Sequence, residues 1–187
     1  AWAFEASDAA VTNLARGSIK SVVGGKTFIE QADLDEFLRY MDLCKASLDS
    51  PEKVFKAAKL QSSYQYFIAA FERFERQREN QRMRFFADLL RDPVRAMERE
   101  GRLAVRVANK IDHLIVDEYQ DINAVQQALI KILAGERADV MVVGDPDQCI
   151  YEWRGARPGF IVRDFGGDCP RVSRYALSRT WRYGPAL

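Results

Sequence analysis

The stretch Leu114-Ile115-Val116-Asp117-Glu118-Tyr119-Gln120-Asp121 sets an apolar run directly against two adjacent carboxylates. A strand that buries such a run delivers its acids to the edge of a parallel sheet, where open α/β sheets bind their ligands. There one carboxylate can hold a hydrated magnesium ion, and its neighbour can polarise an attacking water. Downstream, a second apolar run, Val140-Met141-Val142-Val143, ends in Gly144-Asp145-Pro146-Asp147-Gln148. Two short strands with polar ends and a helix between them form the layout of a nucleotide-hydrolysing sheet. The competing reading of Asp117-Glu118 is purely structural: a pair of acids capping the helix that starts near Asn123.

Three segments carry a resemblance to a known family. Asp117-Glu118-Tyr119-Gln120-Asp121 resembles the Walker B motif of superfamily 1 DNA helicases of the UvrD/Rep/PcrA type. Gly144-Asp145-Pro146-Asp147-Gln148-Cys149-Ile150-Tyr151-Glu152-Trp153-Arg154-Gly155-Ala156 resembles that family's third helicase motif, with Cys149 in place of the usual Ser. Leu177-Ser178-Arg179-Thr180-Trp181-Arg182-Tyr183 resembles the fourth, in which Asn, Tyr and Ser usually stand where this chain has Thr180, Trp181 and Tyr183. The order and spacing are the family's, over residues 111 to 183. Upstream, Phe85-Phe86-Ala87-Asp88-Leu89-Leu90 resembles the family's D-F-x-[DE]-L-L signature, with Phe85 where Asp is usual.

The resemblance implies roles. Asp117 binds Mg2+ through water, and Glu118 orients the water that attacks the terminal phosphate of ATP. Gln148 contacts that phosphate, and Arg182 reaches it as an arginine finger does, in a reaction that rests on positioning and charge stabilisation. Tyr151, Trp153 and Arg154 offer faces for stacking against unpaired bases of single-stranded DNA. On composition alone Trp153 reads as a core aromatic and Arg182 as a surface cation.

The implied fold class is α/β: a partial RecA-like P-loop NTPase parallel sheet preceded by an all-helical insert subdomain. Residues 1–105 make the insert, and 106–187 the C-terminal part of the first RecA-like ATPase domain. The chain then reads as an internal fragment of an ATP-dependent helicase moving 3′ to 5′ on single-stranded DNA and at duplex junctions, in repair or replication. The rest of the parent, a P-loop segment and a second RecA-like domain, is its expected partner. The run Val22-Val23-Gly24-Gly25-Lys26-Thr27 is not a phosphate loop, since G-x-x-x-x-G-K-[ST] needs Gly where Lys20 stands, and it reads as a turn. The isolated chain is therefore expected to be inactive. Two alternatives are the motor of a RecB/AddA-like helicase–nuclease and a DNA-binding relative that has lost ATPase activity.

Composition sets outer bounds. Of 187 residues, 48% are hydrophobic and 29% charged, enough for a globular core. No apolar run approaches the roughly 20 residues of a membrane span, and the first residues do not resemble a signal peptide. Cys44, Cys149 and Cys169 are widely spaced, form no metal pattern and read as reduced thiols, which points to the cytoplasm. The net charge of +1 says nothing about nucleic acid. Arginine recurs from Arg73 to Arg106 with interleaved acids, either as a solvated helix face with i,i+4 ion pairs or as a face for DNA phosphates. His113 has no ligand set or nucleophile near it in sequence.

Residues 1 to 32 give the least information. Apolar spacing predicts a helix over Asp33–Ala46, and Ser50-Pro51 opens a long helix running through Phe71 to about Asn80. Another helical stretch spans Phe85 to Arg99, interrupted at Pro93 and ended by Gly101. No strand is expected before residue 105. After Arg102 strands near 113–117, 139–143 and 173–177 alternate with helices at Asn123–Leu133 and about Pro158–Phe165.

Overall fold

The structure, a computed structural model, describes residues 3–4, 7–24, 28–168 and 171–179. Helix α1 (Asp8–Val23) occupies the stretch least readable in the sequence. It starts at Ser7, whose side chain accepts from the Ala10 N–H, and ends at Gly24. Of the run Val22–Thr27 expected to turn, Val22 and Val23 belong to α1, Gly24 caps it, and residues 25–27 lie outside the described residues. Helix α2 (Gln31–Lys45) follows the predicted apolar spacing and buries Leu34, Phe37, Tyr40, Met41 and Cys44.

The long helix expected from Pro51 is in fact two. Helix α3 (Pro51–Ala57) is capped by Ser50, the chain turns at Lys59 with φ 53°, passes a 3-10 turn at Ser62–Tyr64, and resumes as α4 (Tyr66–Asn80). The cause is local. Lys59 in the left-handed region turns the chain out of α3, and Ser62 and Ser63, weak helix formers, open a 3-10 turn and do not extend the helix. The break also lets Tyr64 stack on Phe67 at 4.8 Å between ring centroids. Tyr40, Phe37, Phe67 and Phe71 complete the aromatic core, and Tyr40 donates to the Pro51 carbonyl at 2.9 Å, fixing α2 to α3.

The helical part is not free of strand. A two-residue strand β1 (Ala3–Phe4) pairs in parallel with β2 (Met83–Arg84). Helix α5 (Asp88–Arg99) runs through Pro93 without interruption, and Gly101 opens α6 (Gly101–Val107) instead of closing α5. The proline forfeits one backbone bond, but burial of Asp88 and Arg91 before it and of Val94 and Met97 after it holds the helix together. Phe85, the departure from the family signature, is buried against Phe74 with centroids 5.7 Å apart.

Strands β3 (His113–Val116) and β4 (Asp139–Val142) pair in parallel, Val116 beside Val142, across helix α7 (Ala124–Ala134). This is the βαβ unit the apolar runs predicted. Only one face is packed: Leu114 and Val116 are half-buried, whereas Ile115 and Met141 are 70% and 58% exposed. The chain then forms a π-helical turn at Phe160–Asp164 that runs into α8 (Phe165–Asp168). The strand expected at 173–177 does not form. Tyr175 and Leu177 are exposed, and no described strand lies beside them to complete a ladder. No helix among the described residues is long and apolar enough to cross a membrane.

A buried ion cluster joins α2, α4 and α5. Lys45 donates to both Glu75 and Asp88. Arg78 reaches Glu75 at 3.2 Å and Asp92 at 3.0 Å, and Arg91 reaches Glu75 at 2.8 Å. Asp88 is fully buried and also accepts from the Phe85 N–H at 3.0 Å. Thus Arg78 and Arg91, read in the sequence as part of a solvated or DNA-facing series, point inward. Desolvation pushes the Glu75 carboxyl up, but Lys45, Arg78 and Arg91 outweigh it and bring it down to about 2.

Glu75→Gln leaves three buried cations undercompensated. It is expected to lower stability at neutral pH by about 3–5 kcal/mol in urea unfolding, the scale for breaking a buried ion pair. A depressed carboxyl stabilises the fold above its unfolded value. The parent's advantage over Glu75→Gln should therefore be complete above pH about 4.5 and shrink as pH falls toward about 2. An advantage that is flat across that window would remove Glu75 as the titrating group.

Candidate nucleotide and nucleic-acid site

The sheet edge is built by backbone strain and a few side-chain bonds. Just past β3, Glu118 adopts φ 51° and ψ 41°, the left-handed region that costs a non-glycine residue about 1–2 kcal/mol. Three contacts hold it there. The Glu118 N–H donates to Asp117 Oδ1 at 2.9 Å, its carbonyl accepts from the Asp121 N–H at 2.9 Å, and the Tyr119 N–H donates to the Val143 carbonyl at 2.9 Å. Tyr119 is fully buried, donates to Gln127 Oε1 at 2.5 Å and meets Phe165 edge-on at 5.7 Å. The result turns the Asp117 and Glu118 side chains out to solvent together.

The capping alternative for these acids does not hold. Helix α7 has its own capping box: Asn123 Oδ1 accepts from the Gln126 N–H, and Gln126 Oε1 accepts from the Asn123 N–H. Asp117 and Glu118 are thus spare acids on an exposed edge.

The segment after β4 faces them. Asp145 caps a 3-10 turn at Pro146–Gln148 by accepting from the Asp147 N–H at 3.0 Å, and its other oxygen accepts from Gln148 Nε2 at 2.7 Å. Gln120, which sequence reasoning left without a role, is 1% exposed and bonds to both strand ends. Its Nε2 donates to Glu118 Oε2 at 2.7 Å, and its Oε1 accepts from the Asp145 N–H at 3.0 Å. The sequence signal for this is its place within the Asp117–Asp121 motif, two residues after Glu118. Burial pushes the Cys149 thiol up, and its bond to Asp121 acts in the same direction, so Cys149 stays a neutral donor where the family usually has Ser.

A second 3-10 turn, Glu152–Arg154, carries the aromatic end of the segment. Trp153 is 53% exposed and Tyr151 is also open to solvent. The Arg154 guanidinium lies over the Trp153 ring, 4.9 Å from its centroid. Arg154 also acts on Asp42 of α2: desolvation raises the Asp42 carboxyl, and Arg154 and Lys45 pull it back. Tyr151, Arg154 and Asp42 line a groove of about 810 Å³ shared by α2, the Phe85–Leu90 segment and the start of α7. Trp153 lines a separate groove of about 320 Å³ together with Arg39 and Arg157.

Gly155 sets how closely the two parts meet. Its φ is 90°, and a Cβ built there would sit 2.8 Å from Ala46 Cβ at the end of α2. The structure therefore brings Asp117, Glu118 and Gln148 to the sheet edge and Tyr151, Trp153 and Arg154 to the groove side. Arg182 lies outside the described residues. Among the described residues no group of three or more His, Cys, Asp or Glu could cage a metal.

Gly155→Ala should lower stability by about 1–3 kcal/mol, the cost of a strained φ plus the contact with Ala46. Gly101→Ala, with nothing within 4 Å of the added carbon, is the control and should be neutral or slightly stabilising. Equal urea midpoints for the two variants would mean that the close approach at Gly155 is not needed.

A family model described as UvrD/REP helicase, N-terminal domain, matches residues 6–166. The chain is 44% identical over 97 residues to an ATP-dependent DNA helicase Rep from Salmonella typhimurium, covering 52% of this chain and 14% of that protein. It is 33% identical over 146 residues to an ATP-dependent DNA helicase PcrA from Staphylococcus epidermidis, covering 78% of this chain and 20% of that protein. It is 30% identical over 173 residues to a probable DNA helicase II homolog from Mycoplasma genitalium, covering 91% of this chain and 24% of that protein. The chain spans a quarter or less of the length of these relatives.

Proposed function

Because the chain belongs to the UvrD/REP helicase family and matches its N-terminal domain over residues 6–166, we propose that it is part of an ATP-dependent DNA helicase motor. The single observation that carries the site reading is the strained turn at Glu118, which holds two exposed acids at the end of a parallel strand. Strain of this kind persists where the surrounding structure over-determines it, and it clusters at functional sites.

In this reading residues 106–187 belong to the first RecA-like domain and residues 1–105 to its helical insert. Glu118 orients and activates the water that attacks the terminal phosphate of ATP. Gln148 contacts that phosphate, and Arg182 stabilises the charge that develops on transfer. Asp117 would hold Mg2+. One exposed carboxylate suits this ion, which keeps most of its ligands as water and phosphate oxygens, so no protein cage is needed. When bound, magnesium supplies charge neutralisation on the phosphates. Tyr151, Trp153 and Arg154 take unpaired bases of single-stranded DNA. The half-exposed ring and its stacked guanidinium support that reading, since a core aromatic would be packed. Movement 3′ to 5′, action at duplex junctions and a role in repair or replication are part of the same proposal, supported by the resemblance of the motifs. The 187 residues contain no G-x-x-x-x-G-K-[ST] run, so as an isolated polypeptide they should release no appreciable phosphate.

Two variants of the full-length protein test the reading. Glu118→Gln keeps size and hydrogen bonding but removes the carboxylate, so it should abolish hydrolysis while sparing ATP binding. Normal phosphate release by that variant would end the assignment. Trp153→Ala should weaken binding of an oligothymidine strand by about 1–3 kcal/mol in fluorescence anisotropy, the scale of one base–aromatic stack. DNA-stimulated hydrolysis should fall with it and the basal rate should change little. Unaltered DNA affinity in a folded Trp153→Ala protein would refute the stacking role.

A further inference from the structure

We propose that Gln120 is a positioning residue that fixes the Glu118 carboxylate to the segment carrying Gln148, so that the two ends of the nucleotide site move as one. The proposal rests on the reading of Glu118 given above and extends it to a residue with no assigned role.

The geometry leaves Gln120 one arrangement. Its side chain is enclosed, and its amide spans two strand ends: Glu118 Oε2 at 2.7 Å on one side and the Asp145 N–H at 3.0 Å on the other. A backbone N–H can only donate, so the amide oxygen must face Asp145 and the NH2 must face Glu118. The orientation is set by chemistry at the Asp145 end and imposed at the Glu118 end. An exposed glutamate otherwise samples several rotamers. This bond selects among them and leaves Glu118 Oε1 free of the Gln120 amide.

The link continues. Asp145 Oδ2 accepts from Gln148 Nε2 at 2.7 Å, so Glu118, Gln120, Asp145 and Gln148 form one chain of hydrogen-bonded residues from the end of β3 to the turn after β4. A shift of Gln148 on the terminal phosphate is passed through Asp145 and Gln120 to the carboxylate that orients water. Gly144 keeps room for this link. A Cβ there would sit 2.4 Å from Gln120 Oε1, 3.0 Å from Ile161 Cδ1 and 3.1 Å from the Tyr119 nitrogen.

Gln120→Glu separates positioning from simple support. The new carboxylate still accepts from the Asp145 N–H, so the strand ends stay tied, but it no longer donates to Glu118 and places like charge beside it. In the full-length protein, with saturating single-stranded DNA, kcat for ATP hydrolysis should fall roughly ten- to a hundredfold. KM for ATP and affinity for oligothymidine should stay near parental values, while the thermal midpoint falls because the new buried carboxylate has no cation beside it. Glu118→Gln is measured in parallel. If Glu118→Gln is inactive and Gln120→Glu keeps a parental kcat, the Gln120 assignment is overturned and the Glu118 reading stands. If Glu118→Gln hydrolyses ATP normally, the Glu118 reading fails and the Gln120 proposal with it. A loss in Gln120→Glu that appears equally in KM assigns Gln120 to structural support and also overturns the proposal. Should Gln120→Glu fail to fold, Gly144→Ala decides, since its added carbon displaces the amide without changing its chemistry. A lower kcat at unchanged KM supports the positioning role, and a parental kcat overturns it.

Discussion

Helix α5 is held on one side by charge and on the other by oil, and the relation between the helical part and the strand-bearing part depends on it. Its N-terminal turns enter the ion cluster through Asp88, Arg91 and Asp92, which fasten it to α2 and α4. Further along, Val94 and Met97 pack with Val125 of α7, supported by Leu129 and Ile132. The charged side must be complete to be tolerated, because a buried ion without partners costs several kcal/mol. Lys45, Glu75, Arg78, Asp88 and Arg91 pair with one another across three helices, although the buried Arg91 Nε has no hydrogen-bond partner. Apolar packing alone would fix these helices less uniquely. The cluster fastens the start of α5, whose Val94 and Met97 pack on the helix that crosses between the two strands.

Much of this was legible in the sequence, and the parts that were not have identifiable causes. The two apolar runs ending in polar groups gave the βαβ unit, because strand burial and sheet-edge chemistry leave a mark of only a few residues. The ion cluster was also present but disguised. Phe67, Phe71 and Phe74 set a stripe at helical spacing, and Arg78 continues it one turn further. An arginine in register with a buried stripe is a candidate for burial with partners. Reading it as one of ten arginines along a surface discarded that register. The break between α3 and α4 was missed because it depends on Lys59 entering a left-handed conformation, which lysine does not advertise. The strand near 173–177 was misread because alternation of apolar residues signals a strand only where a neighbour exists to pair with it.

At the site, residue types were legible and connections were not. Asp117, Glu118, Gln148 and Trp153 stand out as chemistry-bearing residues in a recognisable order. Gln120 and Gly155 do not, since their importance lies in what they touch: Glu118 and Asp145 for one, Ala46 for the other. Contacts of this sort join residues far apart in sequence, and periodicity holds no record of them.

These two contacts give the segment from Asp145 to Gly155 its mechanical character. At its start, Asp145 is tied to Gln120 and so to the end of β3. At its end, Gly155 is pressed against Ala46, and the Arg157 N–H donates to the Ile122 carbonyl at 3.0 Å. Between the anchors Ile150, Tyr151 and Trp153 are exposed. A segment pinned at both ends and open in the middle cannot absorb a displacement by fraying. A shift at Gln148 must appear either as rotation of the exposed aromatic turn or as load on one of the anchors. The Arg154 guanidinium, shared between the Trp153 ring and the field of Asp42, resists that rotation on the side of the helical part. On the roles proposed for Gln148 and Trp153, coupling between phosphate and base then requires no long-range path. It follows from the short span between two fixed points and from the lack of slack within it.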